Sequence, residues 1–239
     1  MPEVIGDLSE LPVGAHCLSL HASRDEAAER AVQFLAGNPP GKAPSFWVTD
    51  AALASYYSDR LAEIAPECVG CVHVLEGEQV IPVEGRLRPA DSIRRFISEH
   101  PEGVSGGADT ISMYWSAETL PEHLEYEAWF QAQPRDRSRF LCPYDLRRVP
   151  PESASRTVRE LGAHHTHVAL SHSEAPAARL LQLFVFGSRP EVPKDLAQTL
   201  LWARVNGLVE VVGDQETLQL TSRGEAVVAE WSQVASVDW

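Results

Sequence analysis

The sequence predicts an α/β fold: a mostly parallel sheet flanked by helices, followed by a small C-terminal module. Over residues 1–172, strand-like segments alternate with helix-like segments, which is typical of βαβ units. Over residues 175–239, the predicted order becomes helix, helix, two-stranded hairpin, helix, which is the order of a winged-helix module. We therefore predict two domains, 1–172 and 175–239.

The first strand and helix show how each element is recognised. The apolar segment His16–His21 predicts a strand. Ser23 with Glu26 three residues later forms a capping-box pattern, and Gly37 is a typical helix stop. Further strands are predicted at 45–50, 68–75, 110–115, 139–145, 165–171, 208–212 and 217–221. Further helices are predicted at 51–64, 89–100, 118–133, 152–162, 175–187, 190–207 and 222–234, the last of them capped by Ser222.

Composition and charge disfavour several classes of function. The chain has 239 residues, 44% of them hydrophobic, and a net charge of −14. An acidic excess disfavours general polyanion binding, because nucleic-acid affinity comes largely from basic groups that neutralise phosphate. The sequence lacks an apolar run of about 18 residues and a signal-peptide pattern, and its four cysteines are irregularly spaced. We predict a cytoplasmic protein that does not enter a membrane.

Polar side chains follow several predicted strands. Ligands of parallel sheets bind outside the carboxyl ends of the strands. His21, Asp50 and Trp115 lie there, as do Tyr144 and Asp145, so all five are candidate ligand contacts.

Several of these positions have a structural interpretation as well. His16, at the opposite end of its strand from His21, is expected to orient the entering loop, and both histidines are also compatible with a structural role. Asp145 either binds a polar molecule with Tyr144 or closes an Asx turn. A carboxylate of the Glu125–Glu127 segment either contacts the ligand or pairs with Arg147 or Arg148.

Metal, nucleotide and catalytic motifs are incomplete. Cys68 and Cys71 with His73 could supply part of a zinc site, but the strand-like alternation favours buried structural cysteines. His165 and His167 would share one strand face and could pair. The segment 37–43 lacks the spacing and hydroxyl of a phosphate-binding loop. We predict no enzyme, cofactor or metal centre.

The segments GAHCLSLHASRDEAAERAVQFL, LEYEAWFQ and LCPYDLRR, in this order, resemble the MEDS family, the sensory domain of methanogen and methylotroph regulators. The resemblance covers roughly residues 10–172. The positions that match the family's motifs are His16, Tyr126, Glu127, Cys142, Tyr144, Asp145, Arg147 and Arg148. Ala15 and His21 depart from the Asp and Tyr that the family often has there, so the ligand's identity does not transfer.

The resemblance implies a fold related to RecA and KaiC ATPases that lacks their phosphate loop. It also implies that this domain binds a small organic ligand ahead of an output domain. The implied ligand contacts include Tyr126, Glu127 and Arg147, in addition to the strand-end residues.

The C-terminal module is compatible with two kinds of output, DNA binding and dimerisation. In a DNA-binding winged helix, the helix before the hairpin enters the major groove. On that helix, an exposed face with Lys194, Gln198, Thr199 and Arg204 would supply the DNA contacts. The wing turn 213–216 is acidic and would repel phosphate, whereas Trp202 and Trp231 would suit a dimer interface. We predict a ligand-sensing transcriptional regulator, with a homodimeric, non-DNA-binding interaction scaffold as the alternative.

Overall fold

The computed structural model describes residues 1–38, 43–49, 51–76, 91–109, 120–133, 137–186, 192–214 and 217–235. Seven strands form one sheet: β1 (Glu3–Val4), β2 (His16–His21), β3 (Ser45–Thr49), β4 (Val72–Glu76), β5 (Ser105–Ala108), β6 (Arg139–Asp145) and β7 (His167–Ala169). Their spatial order is β1, β7, β2, β6, β5, β3, β4, and every neighbouring pair is parallel. The predicted parallel sheet is therefore confirmed.

Helices cover both faces of this sheet. They are α1 (Arg24–Ala36), α2 (Ala51–Ile64), α3 (Asp91–Glu99), α4 (Leu120–Gln131), α5 (Ala154–Ala163), α6 (Pro176–Gln182), α7 (Lys194–Val205) and α8 (Ser222–Ala235). Side chains of α1 and α2 pack on one face, and side chains of α3, α4 and α5 pack on the other. None of the helices in the described ranges is long and apolar enough to cross a membrane.

The predicted capping box starts α1. The Ser23 hydroxyl accepts a hydrogen bond from the Glu26 amide at 3.1 Å. The Glu26 carboxylate in turn accepts from the Ala22 amide at 2.8 Å. The first bond satisfies an amide of the first turn of α1, whereas the second reaches the amide of Ala22, one residue before the cap.

The structure corrects the prediction around β4. The prediction placed residues 68–75 in a strand, but Cys68 ends a 3₁₀ turn and Gly70 has φ +87°. Such a backbone conformation interrupts a strand, so pairing begins only at Val72. Cys68 and Cys71 consequently lie before the strand and not within it.

Strand β5 was missed, because two glycines lower the strand propensity of its sequence. The neighbouring strand explains both glycines. A Cβ atom at Gly106 would lie 2.1 Å from the Phe46 ring, and one at Gly107 would lie 2.3 Å from the Trp47 ring. The strand predicted at 110–115 falls outside the described residues.

The C-terminal elements follow the predicted order. Helices α6 and α7 precede an antiparallel hairpin of β8 (Val209–Val212) and β9 (Thr217–Leu220), and α8 follows it. Their buried side chains join the core beneath α4 and α5 in one continuous cluster. The predicted cap of α8 was one residue late: Thr221, not Ser222, accepts the Gly224 amide at 3.2 Å.

Candidate functional site

Strands β2 and β6 are neighbours, so the polar residues of their common face lie side by side. His16 and Cys142 project from this face, and Glu127 reaches them from α4. His165, in the turn between α5 and β7, completes the group. Among the described residues, these four side chains form a group of potential metal ligands that is buried throughout, with its ligand atoms within 4.8 Å of one another.

Glu127 lies at the centre of the cluster. Its Oε2 atom is 3.0 Å from Nε2 of His16 and 3.2 Å from Nε2 of His165. The His16 Nε2 atom is also 3.2 Å from the Cys142 sulfur. The centroids of the two imidazole rings are 4.1 Å apart, and the ring planes are tilted by 30°. Oε1 of Glu127, by contrast, accepts a hydrogen bond from the Tyr144 hydroxyl.

Backbone carbonyls orient both imidazole rings. Nδ1 of His16 lies 3.0 Å from the carbonyl oxygen of His164, and Nδ1 of His165 lies 2.7 Å from that of Leu161. A carbonyl oxygen only accepts hydrogen bonds, so each Nδ1 atom carries the proton. In the neutral rings, each Nε2 atom therefore presents a lone pair towards Glu127.

Burial and mutual proximity shift the pKa values of the cluster. Burial, together with His165, lowers the pKa of His16 to about 4 despite the opposing effect of Glu127. Burial raises the pKa of Glu127, but His165 and His16 outweigh it, and the net direction is well downward. Burial and Glu127 hold the pKa of both Cys142 and Tyr144 well above their ordinary values.

The sequence-predicted residues fall into two groups. His16, Tyr126, Glu127 and Tyr144 meet in or beside the cluster, where Tyr126 is buried and packs on Phe130 with ring centroids 5.0 Å apart. His21, Asp145 and Arg147 lie at the carboxyl edge of the sheet, as predicted. Asp50 and Trp115 lie outside the described residues.

At the carboxyl edge, Asp145 accepts hydrogen bonds from the turn that follows it. Its Oδ1 atom accepts the Arg147 amide and Nε at 2.9 Å each, and its Oδ2 atom accepts Nη2 at 2.8 Å. The Asx-turn interpretation of Asp145 thus describes its contacts. Of the carboxylates suggested to pair with Arg147 or Arg148, Glu127 does not do so, because its oxygens face the two histidines and Tyr144. His21 is buried beside this turn, and burial lowers its pKa to about 4.

His165 was the member of the cluster that sequence patterns misplaced. His165 and His167, which could have paired on one strand face, do not share one, because β7 begins only at His167. His167 contacts Thr166 at 2.9 Å and lies 3.7 Å from Glu3. Nor do Cys68, Cys71 and His73 form a second group of potential metal ligands in the described part of the chain.

The residues predicted to contact DNA lie on α7. Lys194, Gln198 and Arg204 are exposed. Thr199 is only 5% exposed, so its expected place on the outer face is wrong. Gln198 and Thr199 line a surface cavity of about 350 Å³ between α6 and α7, together with Arg179.

No protein-family model matches the chain, and no curated protein matches it either.

Proposed function

We propose that the chain is a ligand-responsive regulator. In this proposal, the α/β domain is a MEDS-like sensor of a small organic molecule in the cytoplasm, and the C-terminal helices and hairpin form a winged-helix output module. The support comes from the sequence motifs and from the way in which two elements connect the buried cluster to the C-terminal elements.

The main supporting observation is that β6 and α5 both connect the cluster to the C-terminal elements, β6 through the turn that follows it and α5 through its first turn. Strand β6 contributes Cys142 and Tyr144, and the turn that follows it, Leu146–Arg148, contacts α6 and α8. Helix α5 leads into His165. Near its start, Ser155 accepts the Leu220 amide of β9 at 3.0 Å.

A change in the position of β6 or α5 would therefore affect both the cluster and the C-terminal elements. Arg159 of α5 also donates to the Leu218 carbonyl, which adds a second bond between α5 and the hairpin. Binding that favours one arrangement of the sensor would favour one arrangement of the output module, which is the thermodynamic requirement for a ligand-driven switch.

Exposed apolar side chains on α7 favour a second form of output. Leu201 is 65% exposed, Val205 77% and Trp202 39%, and they neighbour one another on the helix. Contiguous exposed apolar side chains are typical of protein interfaces. This observation supports the alternative function, a scaffold that pairs with a second copy of the chain and does not bind DNA.

One experiment separates these outputs. The full-length chain is presented with a random-sequence DNA library at physiological salt, and its mass is measured by sedimentation velocity. The DNA-binding regulator should enrich a defined site, and Arg204→Glu should abolish that enrichment. Arg156→Glu, which changes an exposed arginine of α5, should leave it intact.

Each outcome of these measurements supports or contradicts one form of the proposal. Folded protein that enriches no sequence contradicts the DNA-binding form. If that protein sediments as a dimer and Val205→Ser makes it monomeric, the scaffold is supported. Native mass spectrometry of freshly purified protein tests the sensor itself, because a bound organic molecule of defined mass should be released on mild denaturation.

A further inference from the structure

We propose that His16, Glu127, Cys142 and His165 bind one divalent transition-metal ion of the zinc class. Neither the motifs of the sequence nor its family resemblance assigns a metal to these residues. The inference rests on the geometry of the cluster, and it holds whether or not the chain is a regulator.

The four donor atoms suit such an ion. Two imidazole nitrogens, one thiolate sulfur and one carboxylate oxygen form a mixed set that zinc commonly accepts in tetrahedral geometry. Soft and borderline donors of this kind disfavour magnesium and calcium, which prefer oxygen ligands throughout. All four side chains are buried and come from four separate segments of the chain.

The orientation of the histidines supplies the second observation. Because both Nδ1 atoms face carbonyl oxygens, both Nε2 lone pairs of the neutral rings point into the cluster. They meet a carboxylate oxygen at 3.0 and 3.2 Å, which is repulsive unless a positive charge lies between them. Among the described residues, neither Oε2 of Glu127 nor Nε2 of His165 has an aligned hydrogen-bond partner.

The surroundings have the features of a metal site. Metal-bound histidines usually donate their other ring nitrogen to a carbonyl or carboxylate, and bound carboxylates are themselves hydrogen-bonded. Here the carbonyls of His164 and Leu161 fill the first role. The Tyr144 hydroxyl fills the second by donating to Oε1 of Glu127, which leaves Oε2 for the ion.

Three of the donor–donor distances are close to those of a tetrahedral site, and the remaining ones, which reach 4.8 Å at most, would have to shorten by up to about 1.5 Å. Metal–ligand bonds of about 2.0–2.3 Å in a tetrahedral site separate the donor atoms by about 3.3–3.6 Å. The contacts between Glu127 and the histidines, and the 3.2 Å between His16 and Cys142, are shorter by a few tenths of an ångström. Binding would release the Cys142 thiol proton to the solvent, so affinity should rise with pH.

Four protein ligands leave no open position for a substrate. Closed sites of this type stabilise a fold and do not activate water. The ion would join β2, α4, β6 and the turn after α5, and its binding free energy would add to the free energy of unfolding.

The test uses the full-length chain after dialysis against a chelator. The protein is titrated with Co²⁺ and then with Zn²⁺, while the ultraviolet–visible spectrum and the melting temperature are recorded. We expect one ion per chain, the d–d bands of tetrahedral cobalt, a thiolate-to-cobalt charge-transfer band and a higher melting temperature. Zinc should displace the cobalt and remove the bands.

Matched cysteine variants locate the site. Cys142→Ser should remove the charge-transfer band and weaken metal binding at least about 100-fold, more than the loss of a supporting contact would. Cys17→Ser changes a buried cysteine of β2 in the opposite core, and Cys71→Ser changes the Cys-x-x-Cys pair. Both should retain the band.

Two results would overturn the proposal. One is that the wild-type chain, folded by circular dichroism, binds no cobalt or zinc. The other is that the band disappears in Cys71→Ser and persists in Cys142→Ser. The wild-type titration decides the matter even if a cluster variant does not fold.

Discussion

Two buried charged groups, Arg139 and Glu127, are accommodated in opposite ways. Arg139 starts β6, and all three guanidinium nitrogens donate to neutral oxygens: Nε to Ser105 at 2.9 Å, Nη1 to the Leu11 carbonyl at 2.9 Å and Nη2 to the Phe34 carbonyl at 3.1 Å. Glu127 has one oxygen satisfied by Tyr144, whereas its second oxygen faces two imidazole nitrogens without an aligned hydrogen bond.

The difference separates a structural charge from a candidate site. A buried charge with complete hydrogen bonding is explained by the fold alone. A buried carboxylate oxygen beside a buried imidazole nitrogen, both without a hydrogen bond, is not, because each unsatisfied atom costs free energy in the folded state. Arg139 therefore joins the N-terminal segment, α1 and β5, and the cluster of Glu127 has the properties of a binding site.

Replacing Arg139 should have the largest effect on stability. Arg139→Met leaves the Leu11 and Phe34 carbonyls without their donor in a buried position, so we expect a loss of about 3–5 kcal/mol in the free energy of unfolding. Urea denaturation measures this loss. Arg137→Met, at an exposed arginine two residues earlier, should change the value by less than about 0.5 kcal/mol.

The same variant also tests the comparison. If Arg139 is purely structural, Arg139→Met that still folds should bind cobalt as the wild type does. A loss of cobalt binding in the folded variant would show that the two buried charges are coupled.

Acid should act on the cluster and not on Arg139, because the guanidinium stays protonated throughout the relevant range. His16 has a pKa of about 4 in the folded chain and about 6.5 when unfolded. The unfolded state therefore binds more protons as the pH falls from about 6.5 to 4, and His16 by itself should cost the metal-free protein about 3 kcal/mol of stability over this range.

The groups that face His16 change this effect in opposite directions. Glu127 favours its protonation, whereas His165 opposes it, and Cys142 stays a neutral thiol. His16→Gln should reduce the dependence of the urea midpoint on pH between 6.5 and 4 by about half, because His21, with a pKa that burial also lowers to about 4, contributes the rest. An unchanged slope would mean that another buried group, such as His21, carries the acid sensitivity.

Local patterns predicted the elements that carry the cluster. The bounds of β2 and β6 agree with the prediction, and α1 starts at its predicted cap, because apolar runs and capping residues act over a few positions. Strand β5 was missed because its glycines are explained only by the rings of Phe46 and Trp47, which belong to a neighbouring strand.

The cluster itself depends on contacts that no local pattern contains. His16 and Cys142 are 126 positions apart and meet because β2 pairs with β6. Tyr126, Glu127, Cys142 and Tyr144 were identified through family motifs, but those motifs do not state what their side chains contact. His165 joins them because α5 ends before it and the Leu161 carbonyl holds its ring towards the cluster. In the sequence, the neighbouring His164 and His167 made this position difficult to recognise.

The smallest expected effect comes from Tyr144, which contacts Glu127 but would not bind the ion. Tyr144→Phe removes the hydroxyl that donates to Oε1 and keeps the ring, so Oε2 should become less well oriented. We expect cobalt or zinc affinity to fall about 10–100-fold, with one ion per chain and the charge-transfer band retained.

A chelator competition titration measures that change, and the spectrum shows whether the ligands are unchanged. Tyr57→Phe is a suitable control, because Tyr57 is a buried tyrosine of α2 in the opposite core. Equal affinity in Tyr144→Phe and the wild type would mean that Oε1 needs no support. Loss of the charge-transfer band would mean that Tyr144 is needed to hold the metal ligands in place. The site could then no longer be identified by the difference between the hydrogen-bonded Oε1 and the unbonded Oε2 of Glu127.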